Sequence, residues 1–431
     1  MNLKLIEYGS AVDTNNLNLK DLSYISKKWK NELELNNEPF SIIVENGNHK
    51  IRAQGITGFI NIDNVDIEIK PKFLTQNSSN KWRKLLWNIL LAIDDYSKNI
   101  FDKAGVDSSL ESDTFLDIMG WVFLNSLESS SIEGYPRGYQ DNEGFFYEIK
   151  GSIDYSKIST IISKPLYFPC KYDTYSEDIP INRLLKWGAL FLSKNVKSNM
   201  LATRLIDISY SIKTESSIPP GILEAENIFL PPQFQYIEDA LSIAKKLLKQ
   251  ESLHYKSSSI KSFGFLWKSY DIYEKFIGRL LDIAINSSNQ NLKLEIQSKI
   301  EVAKPYKKTR QVINQFPDFK IKRDNETLFI LDAKYKNNSY LKNNTHGLPT
   351  SSDINQVIIA CQIERAKHGI LIYPSNDTYG TYHQTWKVNY SDSLYISTLY
   401  VNLEKMSHSQ GEYILAKEIM NELEAISINN E

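Results

Sequence analysis

Residues 316–336, FPDFKIKRDNETLFILDAKYK, decide the fold of this chain and contain its candidate chemistry. Apolar residues on both sides of a polar turn predict a β-hairpin, and its second strand ends in acid, small residue and base: Asp332, Ala333 and Lys334. Pairing brings Asp318 and Asp332 together, and adjacent carboxylates repel each other unless a cation neutralises them. Because Mg²⁺ prefers hard oxygen ligands, we expect an Mg²⁺ site at Asp318, Asp332 and Ala333. Lys334 lies on the same strand face as Asp332, beside the expected ion.

A metal-bound water held beside a lysine can attack a phosphodiester, so the hairpin predicts phosphodiester hydrolysis. The pattern of Pro317-Asp318, 13 intervening residues and Asp332-Ala333-Lys334 resembles the PD-(D/E)xK nuclease core. This resemblance implies metal roles for Asp318 and Asp332 and the role of catalytic lysine for Lys334. The alternative interpretation is an ordinary surface hairpin with a solvated acid and a solvated lysine.

The sequence around the hairpin supplies the other elements expected of that nuclease fold. An amphipathic helix is predicted over residues 265–281, with Glu274 near its middle as a possible supporting acid. A second helix over residues 354–366 and a strand over residues 369–374 are predicted after the hairpin. The order helix, hairpin, helix, strand therefore fits the nuclease core.

Other polar residues near the hairpin have less specific interpretations. Gln356 is a candidate for orienting DNA or the lysine, or else a polar residue on the helix surface; Ala360 stands where many related nucleases have a tyrosine. Asp353 is expected to cap the helix N-terminus. Tyr335 and Lys336 follow Lys334 and are expected either to contact DNA or to pack at the surface.

The composition indicates a globular protein. The chain has 431 residues, 42% of them hydrophobic, so two or three domains are expected. No apolar run approaches about 18 residues, and the first residues lack the basic start and apolar core of a signal peptide. We therefore expect a cytoplasmic location and no membrane segment. Cys170 and Cys361 are too few for a disulfide framework or a thiolate zinc site, so any metal is expected to bind oxygen.

The net charge of the chain provides little long-range attraction to nucleic acid. The formal net charge is −2 and the pI is about 6.4, so contacts to DNA must be local or shared with a partner. A basic segment just before the hairpin could contact phosphates, and the candidate DNA-binding residues are Lys304, Lys307, Lys308, Arg310 and Lys336. A solvated basic loop is the alternative.

The rest of the chain combines strands and helices. Short alternating strands are predicted over residues 41–45, 49–54, 57–62 and 65–69, and they indicate a β-meander or small barrel. Helices are predicted over residues 82–104, 115–130, 182–193 and 237–249, with an irregular stretch around 135–170. The polar, serine-rich run 251–262 is the expected domain boundary. These patterns predict a multidomain α+β protein.

Several segments outside the hairpin carry a resemblance over nearly the whole chain. They are GITGFI at 55–60, IEIKPK at 67–72, GYPRGY at 134–139, IKGSID at 149–154, CKYD at 170–173 and NR at 182–183. With the hairpin, these segments resemble the successive signatures of the McrC family. McrC proteins are the endonuclease subunits of McrBC-type restriction systems, which act against phage. The resemblance implies a partner, the AAA+ GTPase McrB, that forms a hexameric ring whose hydrolysis McrC stimulates before double-stranded DNA is cut.

This resemblance assigns roles to the three expected regions. Residues 1–75 are the β-rich N-terminal domain expected to dock the partner, residues 76–250 the mostly helical middle region, and residues 251–431 the C-terminal α/β PD-(D/E)xK endonuclease domain. Arg137 and Arg183 could reach a partner's nucleotide phosphates, although pairing with a nearby acid such as Asp173 or Asp178 is the commoner finding. No GxxxxGK[ST] loop occurs, so the motor must be another polypeptide.

Two alternatives to a motor-coupled endonuclease remain open. One is a stand-alone Mg²⁺-dependent nuclease that cuts DNA without a partner. The other is a non-catalytic activator or scaffold of a AAA+ ring, which the intact Asp318, Asp332 and Lys334 disfavour. The sequence does not fix the DNA target, because methylation or base sequence would be read by the partner.

Overall fold

The computed structural model describes residues 2–14, 17–45, 47–62, 65–74, 82–93, 114–215, 218–254, 262–288, 290–306, 311–324, 326–336, 349–375, 380–391, 393–408 and 410–428. The chain forms two compact units. Unit 1 contains Met1–Lys98 and Ile260–Glu431, and unit 2 contains Asn99–Ser259. The N-terminal strands therefore share a unit with the segment after residue 260, and the division at residues 75 and 250 stays a prediction.

The first part of unit 1 consists of short strands and two helices among the described residues. The strands are β1 (Asn2–Ile6), β2 (Val12–Asp13), β3 (Phe40–Glu45), β4 (Asn48–Ala53), β5 (Ile56–Ile62) and β6 (Val65–Lys70); the helices are α1 (Leu19–Glu32) and α2 (Trp82–Ile93). The four strands predicted from the sequence are confirmed to within one residue at each end. The predicted helix over 82–104 is confirmed as far as Ile93, and residues 94–104 lie outside the described residues.

Unit 2 contains a set of packed helices and a three-stranded antiparallel sheet. Its elements are α3 (Phe115–Glu133), β7 (Gly138–Phe146), β8 (Ser152–Ile153), β9 (Phe168–Ser176), α4 (Pro180–Asn195), α5 (Asn199–Ser211), α6 (Ile222–Glu226) and α7 (Glu238–His254). The helices predicted over 115–130, 182–193 and 237–249 are confirmed. The irregular stretch predicted around 135–170 is wrong, because β7 and β9 pair from Gly138↔Ser176 to Phe146↔Phe168. The sequence of β7 is polar and contains glycine, so it lacks the apolar alternation that predicts a strand.

The second part of unit 1 contains the hairpin. Its elements are β10 (Ser262–Lys268), α8 (Ser269–Ser287), β11 (Leu292–Ile296), β12 (Ile300–Ala303), β13 (Ile313–Gln315), β14 (Phe319–Arg323), β15 (Glu326–Ala333), α9 (Ser351–Glu364), β16 (His368–Ser375), β17 (Tyr382–Lys387), β18 (Tyr395–Asn402) and α10 (Gly411–Ile428). The hairpin, the helix after it and the following strand are confirmed. The predicted start of the first helix at residue 265 is wrong, because residues 265–268 belong to β10.

Strand β10 joins the two parts of unit 1. It pairs antiparallel with β5, from Ser262↔Ile62 to Lys268↔Ile56, in a sheet of order β1-β6-β5-β10. Strands β2, β4 and β3 form a separate sheet. The N-terminal strands therefore divide between two sheets, and the predicted single meander or barrel is wrong. Helix α1 covers these strands with Leu22, Ile25 and Trp29 in one shared core.

The hairpin lies inside a mixed sheet of order β11-β14-β15-β16-β18-β17. β14 and β15 pair antiparallel, whereas β15, β16 and β18 run parallel. The link between β15 and β16 includes α9, as parallel neighbours require a crossover. α9 packs against both strands through a core that includes Val357, Ala360 and Leu371. No helix among the described residues is long and apolar enough to cross a membrane.

The approach of β10 to β5 depends on Gly58. This residue has φ +129°, and a Cβ placed on it would lie 2.1 Å from the carbonyl oxygen of Phe265. Gly58→Ala should therefore lower the free energy of unfolding by about 2–4 kcal/mol, through backbone strain and overpacking together. Urea unfolding followed by tryptophan fluorescence measures the loss.

Gly47→Ala is the matched control, because Gly47 has φ +80° but a Cβ placed on it would have no described atom within 4 Å. It should cost only about 1 kcal/mol, from the positive φ alone. Equal losses for the two variants would show that the contact with Phe265 does not limit the approach of the strands.

Candidate active site

The hairpin places the two predicted metal-binding aspartates opposite each other. Phe319 pairs with Leu331 across β14 and β15, so the next position in this register sets Asp318 against Asp332. Asp332 is 2% exposed. The main-chain N–H of Ala333 donates a hydrogen bond of 2.7 Å to Oδ2 of Asp318. The fold thus brings together all three residues predicted as the metal site.

Burial disfavours the charged forms of both acids, and neighbouring carboxylates add to this effect at Asp318. Burial raises the pKa of Asp318 to about 7, with further contributions from the charges of Asp332 and Glu274. Burial also raises the pKa of Asp332, although its ion pair with Lys334 acts in the opposite direction. The acids at this edge of the sheet therefore resist ionisation unless a positive charge lies beside them.

Lys334 is fixed by both its main chain and its side chain. Its N–H donates to the carbonyl of Ile372 in β16 at 2.8 Å. Its ammonium forms an ion pair with Asp332 and donates to Oε1 of Gln356 at 3.1 Å. Gln356 lies on α9. Its main-chain carbonyl accepts a 2.7 Å hydrogen bond from Nε2 of Gln315. Of the two uses predicted for Gln356, contact with the lysine is the one that the geometry brings about.

Glu274 reaches the same site from α8. Its charge contributes to the raised pKa of Asp318, and its Oε1 accepts a 2.7 Å hydrogen bond from Nε2 of Gln297. The main-chain N–H of Gln297 donates to the carbonyl of Asp318 at 2.8 Å. Gln297 has φ +46°, an uncommon conformation for a residue with a side chain. Sequence reasoning missed Gln297, because no periodicity or motif marks such a residue.

Asp353 is not the helix cap predicted from the sequence. Thr350 is the N-cap of α9, and its hydroxyl oxygen accepts from the N–H of Asp353 at 3.3 Å. The Asp353 carboxylate instead lies at the site, 2.6 Å from Nζ of Lys336 and 3.8 Å from Nζ of Lys334. Serine, threonine and aspartate are all favourable N-cap residues, and all three occur in this region. The sequence pattern therefore could not identify which of them is the N-cap.

The predicted DNA-binding residues are only partly described. Lys304 is exposed and lies 3.4 Å from Glu301, whereas the ammonium of Lys336 is bonded to Asp353. Lys307, Lys308 and Arg310 lie outside the described residues. The DNA-binding role of this set stays a prediction.

Tyr335 is half-buried and packs against the N-terminal part of unit 1. Its hydroxyl donates to Oε2 of Glu7, and its ring lies edge-on to Phe73 with centroids 5.5 Å apart. The ammonium of Lys72 lies 4.2 Å from the centre of the same ring. The residue after the candidate catalytic lysine is thereby bonded to the N-terminal sheet of unit 1.

The two candidate arginines, which both lie in unit 2, pair with acids. Arg183 makes two 2.7 Å hydrogen bonds to Asp178, and Nη2 of Arg137 lies 2.6 Å from Glu177. The commoner of the two interpretations, pairing with a nearby acid, therefore describes both residues in this structure. Arg137 remains 54% exposed along its side chain.

The donor set suits a magnesium ion. Among the described residues no group of three or more His, Cys, Asp or Glu side chains is arranged to hold a metal. Mg²⁺ does not require one, because it usually binds one or two carboxylates and keeps waters or substrate phosphates as its other ligands. Asp318 and Asp332 meet that requirement, and their mutual repulsion would be relieved by a cation.

Comparison with known proteins assigns this architecture. One similar solved structure is described as "Refined half-complex from tetradecameric assembly of Thermococcus gammatolerans McrB AAA+ hexamers with bound McrC". One of its chains superposes on this chain with a TM-score of 0.73 at 16% identity, and the match covers 99% of this chain and 100% of that one. A chain from the cryo-EM structure of the Thermococcus gammatolerans McrBC complex gives a TM-score of 0.52 at 17% identity, covering 67% and 90%. No curated protein matches the chain.

The protein is thus a mixed α+β protein of several sheets with an McrC-like fold. The model of the family described as McrBC 5-methylcytosine restriction system component matches residues 51–374. The chain belongs to this family.

Metal binding can be measured apart from catalysis. Asp332→Asn should weaken Mg²⁺ binding in calorimetric titration by about 10- to 100-fold or more, since even groups that only support a ligand contribute that much. Asp324→Asn is the matched control, because Asp324 is exposed at the hairpin turn and bonded to Asn291. Unchanged affinity in Asp332→Asn would contradict the assignment of the metal site.

Proposed function

We propose that the chain is the Mg²⁺-dependent DNA endonuclease subunit of an McrBC-like restriction system. In this proposal it cuts DNA in complex with a AAA+ GTPase whose hydrolysis it stimulates. The observation that carries the nuclease assignment is the convergence of Asp318, Asp332 and Lys334 on one hairpin, with Glu274 and Gln356 added from two helices.

Each of these residues has a distinct part in phosphodiester hydrolysis. Asp318 and Asp332 would hold the Mg²⁺, which when bound supplies a Lewis acid and lowers the pKa of its water. Lys334 presents its ammonium at the same edge, where it stabilises the negative charge that develops on the phosphate. Gln356 fixes the direction of the lysine through the bond to its Oε1. Glu274 adds a third carboxylate near Asp318.

Family membership and charge support a partner. The similar chain in the Thermococcus gammatolerans assembly is described with McrB AAA+ hexamers. This chain has no GxxxxGK[ST] loop of its own, and its net charge of −2 provides no long-range attraction to DNA. A ring that engages the duplex would raise the effective concentration of DNA at the nuclease. In this proposal residues 1–75 dock the partner, as expected from the sequence.

The test of the chemistry is cleavage by the full chain with its partner, nucleotide and Mg²⁺. Lys334→Ala should lower the single-turnover rate on the order of 10²–10³-fold, as expected when a preorganised donor is lost at a developing charge. Lys293→Ala is the control, because Lys293 is exposed on β11. Cutting by Lys334→Ala at the wild-type rate would reject the assigned lysine.

The test of the partner uses a catalytically silent chain. Asp332→Asn should still raise nucleotide hydrolysis by the AAA+ protein to the level that the wild-type chain produces, because docking does not use the metal site. Hydrolysis assays with and without the chain measure this. Absence of stimulation and of co-elution by the wild-type chain would reject the motor-coupled proposal, and efficient cutting without partner or nucleotide would favour a stand-alone nuclease.

A further inference from the structure

Asp353 is a buried acid that the sequence motif does not include. It lies in the first turn of α9 and is 6% exposed. The helix is already capped by Thr350. The carboxylate of Asp353 is therefore not required as the N-cap, and its position needs another explanation.

The carboxylate lies between the two lysines that follow Asp332 in the chain. Its Oδ2 accepts a 2.6 Å hydrogen bond from Nζ of Lys336, and its Oδ1 lies 3.8 Å from Nζ of Lys334. Asp332 on β15 and Tyr373 on β16 lie near enough to interact electrostatically with Asp353. Within this group, Asp353 is an acid that the metal assignment leaves unused.

Lys334 needs a counter-charge that the metal ligands do not provide. Its ammonium is paired with Asp332, which is also assigned to the cation. A divalent cation repels an ammonium group and competes for the same carboxylate. Gln356 contributes only a neutral acceptor. Among the residues that the structure describes, Asp353 is a second carboxylate near Lys334.

We propose that Asp353 is a positioning residue that holds the ammonium groups of Lys334 and Lys336 at the candidate active site. This inference rests on the proposed nuclease function and adds a residue to it. Asp353 fixes Lys336 through a direct bond and Lys334 through its nearby charge. Lys334 thereby keeps its orientation when Asp332 is engaged elsewhere.

A purely structural role makes a different prediction. An acid in the first helical turn stabilises the helix through the dipole, and this would apply equally to any exposed helix. Asp271 occupies the corresponding third position of α8, is 41% exposed along its side chain, and lies 3.7 Å from Lys268. Asp271→Asn is therefore the matched control for Asp353→Asn.

The first measurement is independent of catalysis. The full chain is treated with an amine-acylating reagent in the absence of divalent ions, and the labelling rate of each lysine is read by mass spectrometry. Asp353→Asn should increase acylation of Lys336 several-fold, because its ammonium loses the carboxylate bonded to it, and acylation of Lys334 by a smaller factor, because Lys334 keeps Asp332 and Gln356. Asp271→Asn should leave both rates within twofold of the wild type.

The second measurement separates turnover from DNA binding. With partner, nucleotide and Mg²⁺, Asp353→Asn should reduce the single-turnover cleavage rate about 10- to 100-fold, the scale of loss for a misplaced reacting group. DNA affinity, measured with Ca²⁺ in place of Mg²⁺, should stay within twofold. Asp353→Glu retains the charge and should recover cleavage to within about tenfold of the wild type; it also serves if the Asn variant fails to fold.

The outcomes separate this inference from the proposed function. If the wild-type chain does not cut DNA, the proposed function fails, and the acylation rates still decide whether Asp353 holds the lysines. Unchanged acylation and unchanged cleavage in folded Asp353→Asn would overturn the inference while leaving the nuclease assignment intact. A drop in cleavage equal to that of Asp271→Asn would show a general effect on helix stability and would also overturn it.

Discussion

The ladder between β5 and β10 is the constraint on which unit 1 depends. It joins residues 56–62 to residues 262–268 across the whole length of unit 2 in the sequence. The pairing is close because glycines occupy it: a Cβ on Gly264 would lie 2.7 Å from Cα of Ile60. The ladder also determines where α8 begins, since the N–H of Ser269 donates to the carbonyl of Gly55 at 3.2 Å. The direction of α8, and with it the position of Glu274, therefore follows from a contact with the N-terminal strands.

A second connection fixes the other side of the candidate active site to the same sheet. Tyr335 directly follows Lys334, and its hydroxyl donates to Glu7, whose burial raises its pKa. A buried acid of this kind depends on its hydrogen bonds, because an unpaired buried charge is costly. A fragment beginning near residue 251 would lack both Glu7 and the partner strand of β10. Loss of activity in such a fragment could come from damage to unit 1 or from loss of partner docking. Point variants in the full chain separate these two effects.

The sequence predicted the local features of the site and missed those that depend on distant contacts. The apolar residues on both sides of the polar turn predicted the hairpin and the pairing of its strands. That pairing in turn predicted the placement of Asp318, Asp332 and Lys334. The segment at 265–268 was assigned to a helix because its apolar residues continue the pattern of α8, and only pairing with β5 makes it a strand. Gln297 was missed, and Asp353 was assigned to the helix cap, for a related reason. Their roles follow from bonds to Glu274 and Lys336, which lie on other elements.

In the proposed function, the charges of the site make DNA cleavage depend on a cation and on a partner that holds the DNA. The carboxylates of Asp318, Asp332 and Asp353 interact with the ammonium groups of Lys334 and Lys336, and Glu274 adds a fourth carboxylate near Asp318. With all of them ionised, the site has an excess of negative charge and repels a phosphodiester. The chain as a whole, at a net charge of −2, does not offset this repulsion. A divalent cation reverses it locally, and a partner that holds the duplex overcomes it at longer range. In the proposed function the two contributions add, because the cation acts at the site and the partner acts on the duplex as a whole.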